Sequence, residues 1–345
     1  MLATPSAVER TVEAGGHLLA SALLIQSAAR RRLAIDPNQP HSKSAPFCVS
    51  VREARRMVMI RPMAVEDVPG AEQAWHAAYS TMRAAHHLPA EPRTAESIQR
   101  LEQRIAHLRH TDPAGSWVAI DDDQQVVGLS QALVRDNVWV LSLLGVLPAH
   151  QDRHTGKALL DVALTYGRDA ARGMILCSRD PRAARRYSLA GFDLHPAVTA
   201  WGRVNRRTFP RPSSTIREGS EADYDLVASL DRTVRGGAHG PDLGHTLDAG
   251  CRLVVSSHGG YVIARGSRPV FLAAGNERTA TDLLFAVLGE ADPDETTQVN
   301  WLTSAQQWAI RASLQAGLEL HPIGPVMLRG FQAPPAPYLP SGAFG

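Results

Sequence analysis

The chain has 345 residues, of which 44% are hydrophobic and 20% charged, a composition typical of a globular protein long enough for two domains. Its formal net charge of +2 gives no indication of nucleic-acid binding, and its apolar stretches fall short of the ~20 residues that a membrane span needs. Three widely spaced cysteines argue against a disulfide framework or a cysteine zinc site and favour the cytoplasm.

Residues 1–56 have a pattern unlike that of the rest of the chain. An apolar segment, 18–25, precedes the basic cluster 30–32, whereas a secretory signal peptide has the opposite order. We expect a poorly ordered N-terminal extension here. Two interpretations stay open, a peripheral helix with a polar tail and a leader upstream of a later start at Met57 or Met59.

From residue 58 onward the hydrophobic pattern predicts alternating strands and helices. The second helix has Thr94 or Ser97 as its cap, and the acidic turn 121–123 is typical of a hairpin between two antiparallel strands. In chain order these elements are a strand over 58–62, helices over 64–82 and 94–109, and strands over 117–120, 126–134 and 138–146.

The strand over 138–146 leads into the most informative stretch of the chain. Its continuous apolar run predicts a buried strand, and apolar residues recur at helical spacing from Leu159 onward. The turn between them, 151–156, precedes a helix, where free backbone N–H groups and the helix dipole favour an anion. A strand over 174–177, a helix over 182–189 and a closing strand over 192–203 follow.

Two common phosphate-binding motifs do not fit this turn. A nucleotide-triphosphate loop needs a hydroxyl after its glycine-lysine pair and a glycine five residues before it, but Gly156-Lys157 is followed by Ala158, and position 151 is glutamine. A dinucleotide fingerprint needs three glycines, and the turn has one. An anion site of another kind and a plain strand-turn-helix packing unit both remain open.

Residues 146–158 resemble the acyl-CoA-binding motif of the GNAT-type N-acetyltransferase superfamily, V-x-P-x-x-Q-x-x-G/A-x-G-x-A. Arg153 stands where the family often has a basic residue, and His154 replaces the usual glycine or alanine. The residues in register with the motif are Val146, Pro148, Gln151, Gly156 and Ala158.

A second stretch, 180–192, resembles the family motif N-x-x-A-x-x-x-Y-x-x-x-G-F. Asp180 replaces the usual asparagine, and Tyr187 falls on the tyrosine that many relatives place beside the CoA sulfur. Without the motif, Tyr187 would be interpreted as a half-buried core aromatic. Two motifs at the family's separation make a chance match improbable.

The resemblance implies an α+β fold (an α/β three-layer sandwich), a mixed and mostly antiparallel sheet flanked by helices, with acetyl-CoA as co-substrate. It implies that Tyr187 protonates the departing thiolate. No general base is identifiable, and Asp136, His150 and a water chain all stay open. The residues implied to bind acetyl-CoA are Leu144, Val146, Gln151, Asp152, Arg153, His154, Thr155, Gly156, Lys157 and Ala158.

The chain repeats itself after a basic, proline-containing linker. The segment 216–223 echoes 60–67, and 316–322 echoes 190–196, which indicates two tandem copies of the GNAT fold. The second copy is degenerate, since its turn 275–280 lacks the motif and Ser313 stands where the first copy has Tyr187. We expect an N-terminal extension over 1–56, a GNAT domain over 57–205, a linker over 206–214, a degenerate GNAT-like domain over 215–332 and a proline-rich tail over 333–345.

These observations predict an N-acetyltransferase that transfers an acetyl group from acetyl-CoA to a primary amine of a small molecule or peptide. The alternative is a non-catalytic protein that binds acyl-CoA as a sensor or scaffold. No metal is expected, because His150 and His154 straddle a turn and need not share a helix face. No nucleic-acid or membrane partner is expected either, and a homodimer stays open.

Overall fold

The computed structural model describes residues 58–151 and 153–345, so the predictions for the N-terminal extension and for Asp152 lie outside the described residues. Two runs of elements share one order. The first run is β1 (Met59–Pro62), α1 (Val68–Ala85), α2 (Ala95–Thr111), β2 (Ser116–Ile120), β3 (Val126–Arg135), β4 (Val138–Val146), α3 (Thr155–Tyr166), β5 (Arg172–Leu176), α4 (Pro181–Leu189), β6 (Asp193–His195) and β7 (Val198–Gly202).

The second run follows the predicted linker and repeats the sequence of strand and helix types. It consists of β8 (Ile216–Glu218), α5 (Tyr224–Val234), α6 (Pro241–Asp248), β9 (Arg252–Ser256), β10 (Gly260–Arg265), β11 (Arg268–Ala274), α7 (Glu277–Leu288), β12 (Thr297–Leu302), α8 (Gln307–Gln315), β13 (Glu319–Pro322) and β14 (Val326–Arg329), and a last strand, β15 (Tyr338–Leu339), comes after it.

The sequence echo corresponds to one ion pair formed twice. In the first run Arg61 lies 2.6 Å from Asp67, whose carboxylate also accepts the backbone N–H of Ala64. In the second run Arg217 lies 2.6 Å from Asp223, which caps the helix in the same way. Each pair ties an edge strand to the start of the helix that follows it.

The two runs exchange their last strands. The seven-stranded sheet has the order β1-β2-β3-β4-β5-β14-β6, so β14 of the second run lies between two strands of the first. In return, β7 lies between β12 and β13 in a three-stranded sheet. The described residues from 58 onward consequently form one compact unit, in which the expected boundary at 206–214 falls between β7 and β8.

The closing strand predicted over 192–203 is wrong in one respect. The chain forms two short strands there, separated by Pro196 and Ala197, and they join different sheets. Proline has no N–H to donate to a ladder, so a strand is readily interrupted at this position. The break sends β7 to the sheet of the other run.

The C-terminal tail is packed against both runs, since β15 joins a sheet of the second and Phe344 packs with Leu108 and Val138 of the first. β15 pairs antiparallel with β11, with Leu339 opposite Leu272, and it also contacts β12. Tyr338, Leu339 and Phe344 are buried, as is expected for apolar residues of a tail that lies across the protein. The tail therefore fills the space between the fourth and fifth strands of the second run.

The chain has apolar clusters on both faces of its sheets, which matches a layered α+β fold. The first run buries Trp139 and Leu133, and the second buries Phe271 and Leu283. No helix in the described part of the chain is long and apolar enough to cross a membrane.

Candidate active site

The central strand β4 separates from its neighbour halfway along its length. β4 pairs in parallel with β5 only from Val138 to Leu141. A bulge in the ladder with β3 then leaves Ser142 as an extra residue, since Leu141 faces Ala132 and Leu143 faces Gln131. Beyond it, alternate backbone N–H and C=O groups of β4 face open space.

A cleft of about 890 Å³ lies along this open edge. Its floor is β4 from Leu141 to Val146, and one wall is formed by α1, whose backbone at Trp75 lies 3.4 Å from the position of a Cβ on Gly145. The opposite wall comes from the segment after β5, from α4 and from the exchanged strands.

One end of the cleft is the turn before α3. The side chain of Gln151 donates a hydrogen bond of 2.9 Å to the carbonyl of Val146 and so closes the turn onto the strand. His154 has φ of 65°, in the left-handed region that glycine adopts without cost, which accounts for the family's preference at this position. His154 provides no side-chain cap, so the first N–H groups of α3 are left for a ligand.

The equivalent helix of the second run begins with a side-chain cap. The side chain of Asn276 accepts the backbone N–H of Thr279 at 2.9 Å and caps α7. β15 also occupies the edge of β11 that corresponds to the open edge of β4. In the second run, therefore, the helix start is capped and the strand edge is paired, whereas both are open in the first run.

Arg186 is a residue of this turn that the sequence did not identify. A Cβ on Gly156 would lie 2.8 Å from its Nη1 and 3.5 Å from Val146. Within the described part of the chain, no carboxylate forms an ion pair with Arg186, which also lines the cleft. Its place one residue before Tyr187 was the available signal, but a basic residue on a helix surface is too common to be specific.

Some of the residues predicted to bind acetyl-CoA line the cleft, and others do not. Thr155 is buried at the start of α3. Lys157 is largely exposed and pairs with Asp161 at 2.6 Å, and the exposed Arg153 is not part of the lining. Ala158 lies on α3 without lining the cleft, whereas the residues that do line it are Leu144, Val146, Gln151, His154 and Gly156.

Tyr187 lines the cleft from α4 and is buried. Burial raises the pKa of its phenol well above the usual range, and the neighbouring Cys177 adds to the effect. Burial likewise raises the pKa of the Cys177 thiol to about 12, which leaves it neutral and unreactive. The core cluster around Tyr187 includes Trp139 and Phe192, so its ring has few ways to move.

Neither Asp136 nor His150 belongs to the described lining of the cleft. Asp136 pairs with Arg232 at 3.0 Å and accepts the backbone N–H of Ala238, which places it at the contact between the two runs. His150 is buried under the turn. Both suggestions for a general base therefore lie away from the cleft.

Strands β7, β12 and β13 contribute side chains that no sequence motif could assign. Trp301 has φ of 62°, which is rare for a bulky residue and marks a strained position at the bulge in β12. Asn300 accepts the hydroxyl of Thr199 at 2.6 Å, and His321 lies edge-on to Trp201. All five line the cleft because strand exchange brings β7, β12 and β13 to it.

Among the described residues, no group of three or more histidine, cysteine, aspartate or glutamate side chains could hold a metal ion. The cleft is instead rich in arginine. Its carboxylates, Glu91 and Asp180, are already paired with Arg83 and Arg182. The open edge of β4 and the uncapped start of α3 thus define a groove for a long ligand with an anionic end.

Comparison with known proteins agrees with this geometry. Residues 75–192 match the family model "Acetyltransferase (GNAT) family", which includes β4, the turn, α3 and α4. This match identifies residues 75–192 as a GNAT-type domain and supports membership of the GNAT superfamily. A search of curated proteins found no match.

Similar solved structures show the same fold. A Pyrococcus horikoshii protein with a provisional assignment as an acetyltransferase has 15% identity and a TM-score of 0.65, covering 89% of this chain and 100% of that chain. A GCN5-related N-acetyltransferase from Kribbella flavida has 14% identity and a TM-score of 0.52, covering 79% and 71%. A tandem GNAT protein from the clavulanic acid biosynthesis pathway has 15% identity and a TM-score of 0.52, covering 79% and 98%.

Gly156→Glu is expected to abolish acetyl-CoA binding. The new side chain would enter the space before Arg186 and place a negative charge where the phosphates need positive partners. Isothermal calorimetry should show a loss of affinity of ~100-fold, because the new carboxylate would compete for Arg186 and repel the phosphates, and a hydrogen bond to a charged group contributes about 1.5–3 kcal/mol.

Gly244→Glu on α6 is the matched control, because nothing lies within 4 Å of a Cβ at that position. It should bind acetyl-CoA as the parent does. Unchanged affinity in Gly156→Glu would mean that the phosphates bind elsewhere.

Proposed function

We propose that the chain is an N-acetyltransferase that transfers the acetyl group of acetyl-CoA to a primary amine. The observation that carries this proposal is the cleft in which an open strand edge, an uncapped helix start and a buried tyrosine lie together. Backbone groups of Leu144 and Val146 would hold the pantetheine arm. The turn from Gln151 to Gly156, with Arg186, would hold the pyrophosphate.

The reaction then needs one bond to form and one to break. The amine nitrogen attacks the thioester carbonyl carbon, a C–N bond forms, and the C–S bond breaks. The amine gives up a proton to a base or to water, and the thiolate takes the proton of the Tyr187 hydroxyl, which solvent later restores. His321 is the proposed acceptor of the amine proton, directly or through water, because imidazole suits proton transfer near neutral pH.

Fixing both reactants in one cleft would account for much of the rate. Because a bound amine and thioester react as one molecule, the entropic cost of bringing them together falls on the binding step and not on the chemical step. The cytoplasm is the proposed location, since Cys177 and Cys251 are free buried thiols.

Calorimetry is expected to show one acetyl-CoA bound per chain. The first run offers an open edge, while β15 and Asn276 fill the equivalent places of the second. Saturation at a hundredfold excess over Kd should stabilise the protein by about 2.7 kcal/mol. Two equivalent sites would contradict the assignment.

A panel of primary amines with a thiol-release readout tests turnover. Acetyl-CoA-dependent thiol release that rises with amine concentration supports an enzyme. Binding of acetyl-CoA without release by any amine would favour the sensor or scaffold.

A further inference from the structure

The inner end of the cleft contains an arginine whose charge is not balanced by a nearby carboxylate. Arg104 extends from α2 and is partly buried. Its Nη2 donates to the carbonyl and hydroxyl oxygens of Ser142 at 2.7 and 2.6 Å, and its Nε donates to the same hydroxyl. No carboxylate in the described residues forms an ion pair with it.

The carboxylate whose charge acts on Arg104 is that of Asp242, which already forms ion pairs with two other residues. Asp242 binds His107 at 2.8 Å and Arg135 at 2.7 Å, so its charge is shared with a different guanidinium. Burial lowers the pKa of Arg104 to about 10, so it still carries its charge at neutral pH. A partly buried cation beside neutral partners loses hydration, and a ligand of opposite charge offsets that cost.

The position of Arg104 fits the acceptor end of the cleft. Ser142 is the bulged residue at which β4 leaves β5, two residues further in than Leu144. The proposed path of the pantetheine arm runs over Leu144 and Val146, so its acyl end would face Ser142. The cleft as a whole, whose lining includes Trp75, Tyr79 and Trp301, has more space than an acetyl group needs.

We propose that Arg104 binds a carboxylate of the acceptor, which makes the acceptor class amines that also carry a carboxylate, such as amino acids. The proposal rests on the acetyltransferase function proposed above. A guanidinium donates charge-assisted hydrogen bonds to a carboxylate, and Arg104 retains the two N–H groups of its Nη1 for that contact while Ser142 orients the rest of the group.

The test compares each amino acid with its carboxamide, which has the same amine without the negative charge. With the parent protein, kcat/KM for acids should exceed that for amides by ~10- to 100-fold, the range for a hydrogen bond to a charged group. Arg104→Met should remove this preference by raising KM for the acids, with KM for acetyl-CoA unchanged.

Arg100→Met is the matched control on the same helix, because Arg100 pairs with the exposed Glu96 and does not line the cleft. It should keep the acid preference. Equal use of acids and amides by the parent, or an unchanged preference in Arg104→Met, would overturn the proposal.

Two further experiments test carboxylate binding independently of turnover and distinguish an acceptor carboxylate from an acyl-group carboxylate. In the first, N-acetyl amino acids and their amides are titrated calorimetrically into the CoA-bound parent protein. This measures carboxylate recognition without turnover, so it tests the site even if the protein acetylates no amine. Stronger binding of the acids supports the site, and equal binding overturns it. If Arg104→Met instead raises KM for succinyl-CoA alone, the carboxylate belongs to the acyl group and the acceptor assignment is wrong.

Discussion

Tyr187→Phe is expected to lower kcat by about 10²- to 10⁴-fold while KM for acetyl-CoA stays nearly unchanged, the pattern of an interaction made in the transition state. The change keeps the ring that packs in the core and removes only the hydroxyl. Steady-state thiol release with a saturating amine measures both constants.

The raised pKa of Tyr187 is compatible with this role. Burial disfavours charge on the phenolate, but the same burial disfavours charge on a thiolate that forms beside it. Both proton affinities therefore rise together, and a short hydrogen bond from the hydroxyl can stabilise the departing sulfur as its charge develops. A water molecule would have to enter a closed part of the cleft to do the same.

Tyr166→Phe is the control for loss of a hydrogen-bonded, partly buried tyrosine hydroxyl. Tyr166 donates to Asp112 at 2.8 Å and does not line the cleft, so its removal should reduce stability and leave kcat alone. If kcat of Tyr187→Phe stays within about threefold of the parent, below the range for acid catalysis, Tyr187 has a packing role.

Local patterns were sufficient for most of the secondary structure. The apolar run predicted β4 with the observed ends, Val138 and Val146, since a strand covered on both faces has a continuous apolar run in its own sequence. Thr94 caps α2 as predicted, with its hydroxyl accepting the N–H of Ser97. The echo of 60–67 in 216–223 corresponds to a repeated ion pair, which is a contact within a few residues.

Long-range placement could not be predicted in this way. The exchange of β7 and β14 depends on which sheet offers a free edge, and both strands have the same apolar character wherever they pair. The exchange brings Trp301 and His321 to the cleft, although they lie more than a hundred residues from its motif. Arg104 was not identified from the sequence because its contact with Ser142 depends on the bulge in β4, which the sequence pattern does not reveal.

Asp242→Asn is expected to lower the free energy of unfolding by about 3–5 kcal/mol, the cost of breaking a buried ion pair by removing one partner. Asp242 is fully buried and binds Arg135, whose Nη1 lies 2.9 Å from Asp112. These groups join α2 and β3 of the first run to α6 of the second. Urea unfolding followed by circular dichroism measures the change.

Asp136→Asn is the matched control, since Asp136 and Arg232 also join the two runs but are exposed. It should cost less than about 1 kcal/mol, as exposed pairs do. A similar small loss in Asp242→Asn would show that Asp112 alone compensates Arg135.

Acidification should show how much the charge of the Asp242 carboxylate contributes to the stability of the fold. Desolvation raises its pKa, but hydrogen bonds from His107 and Arg135 outweigh this, so the pKa in the folded protein lies below the usual value of 3.8. A lowered pKa means that the carboxylate stabilises the fold fully above the unfolded value and loses that contribution as pH falls through the folded one. The difference in unfolding free energy between the parent and Asp242→Asn should therefore be constant near neutral pH and shrink below about pH 4. A difference that persists undiminished in that range would mean that the stabilisation comes from packing and not from the charge of Asp242.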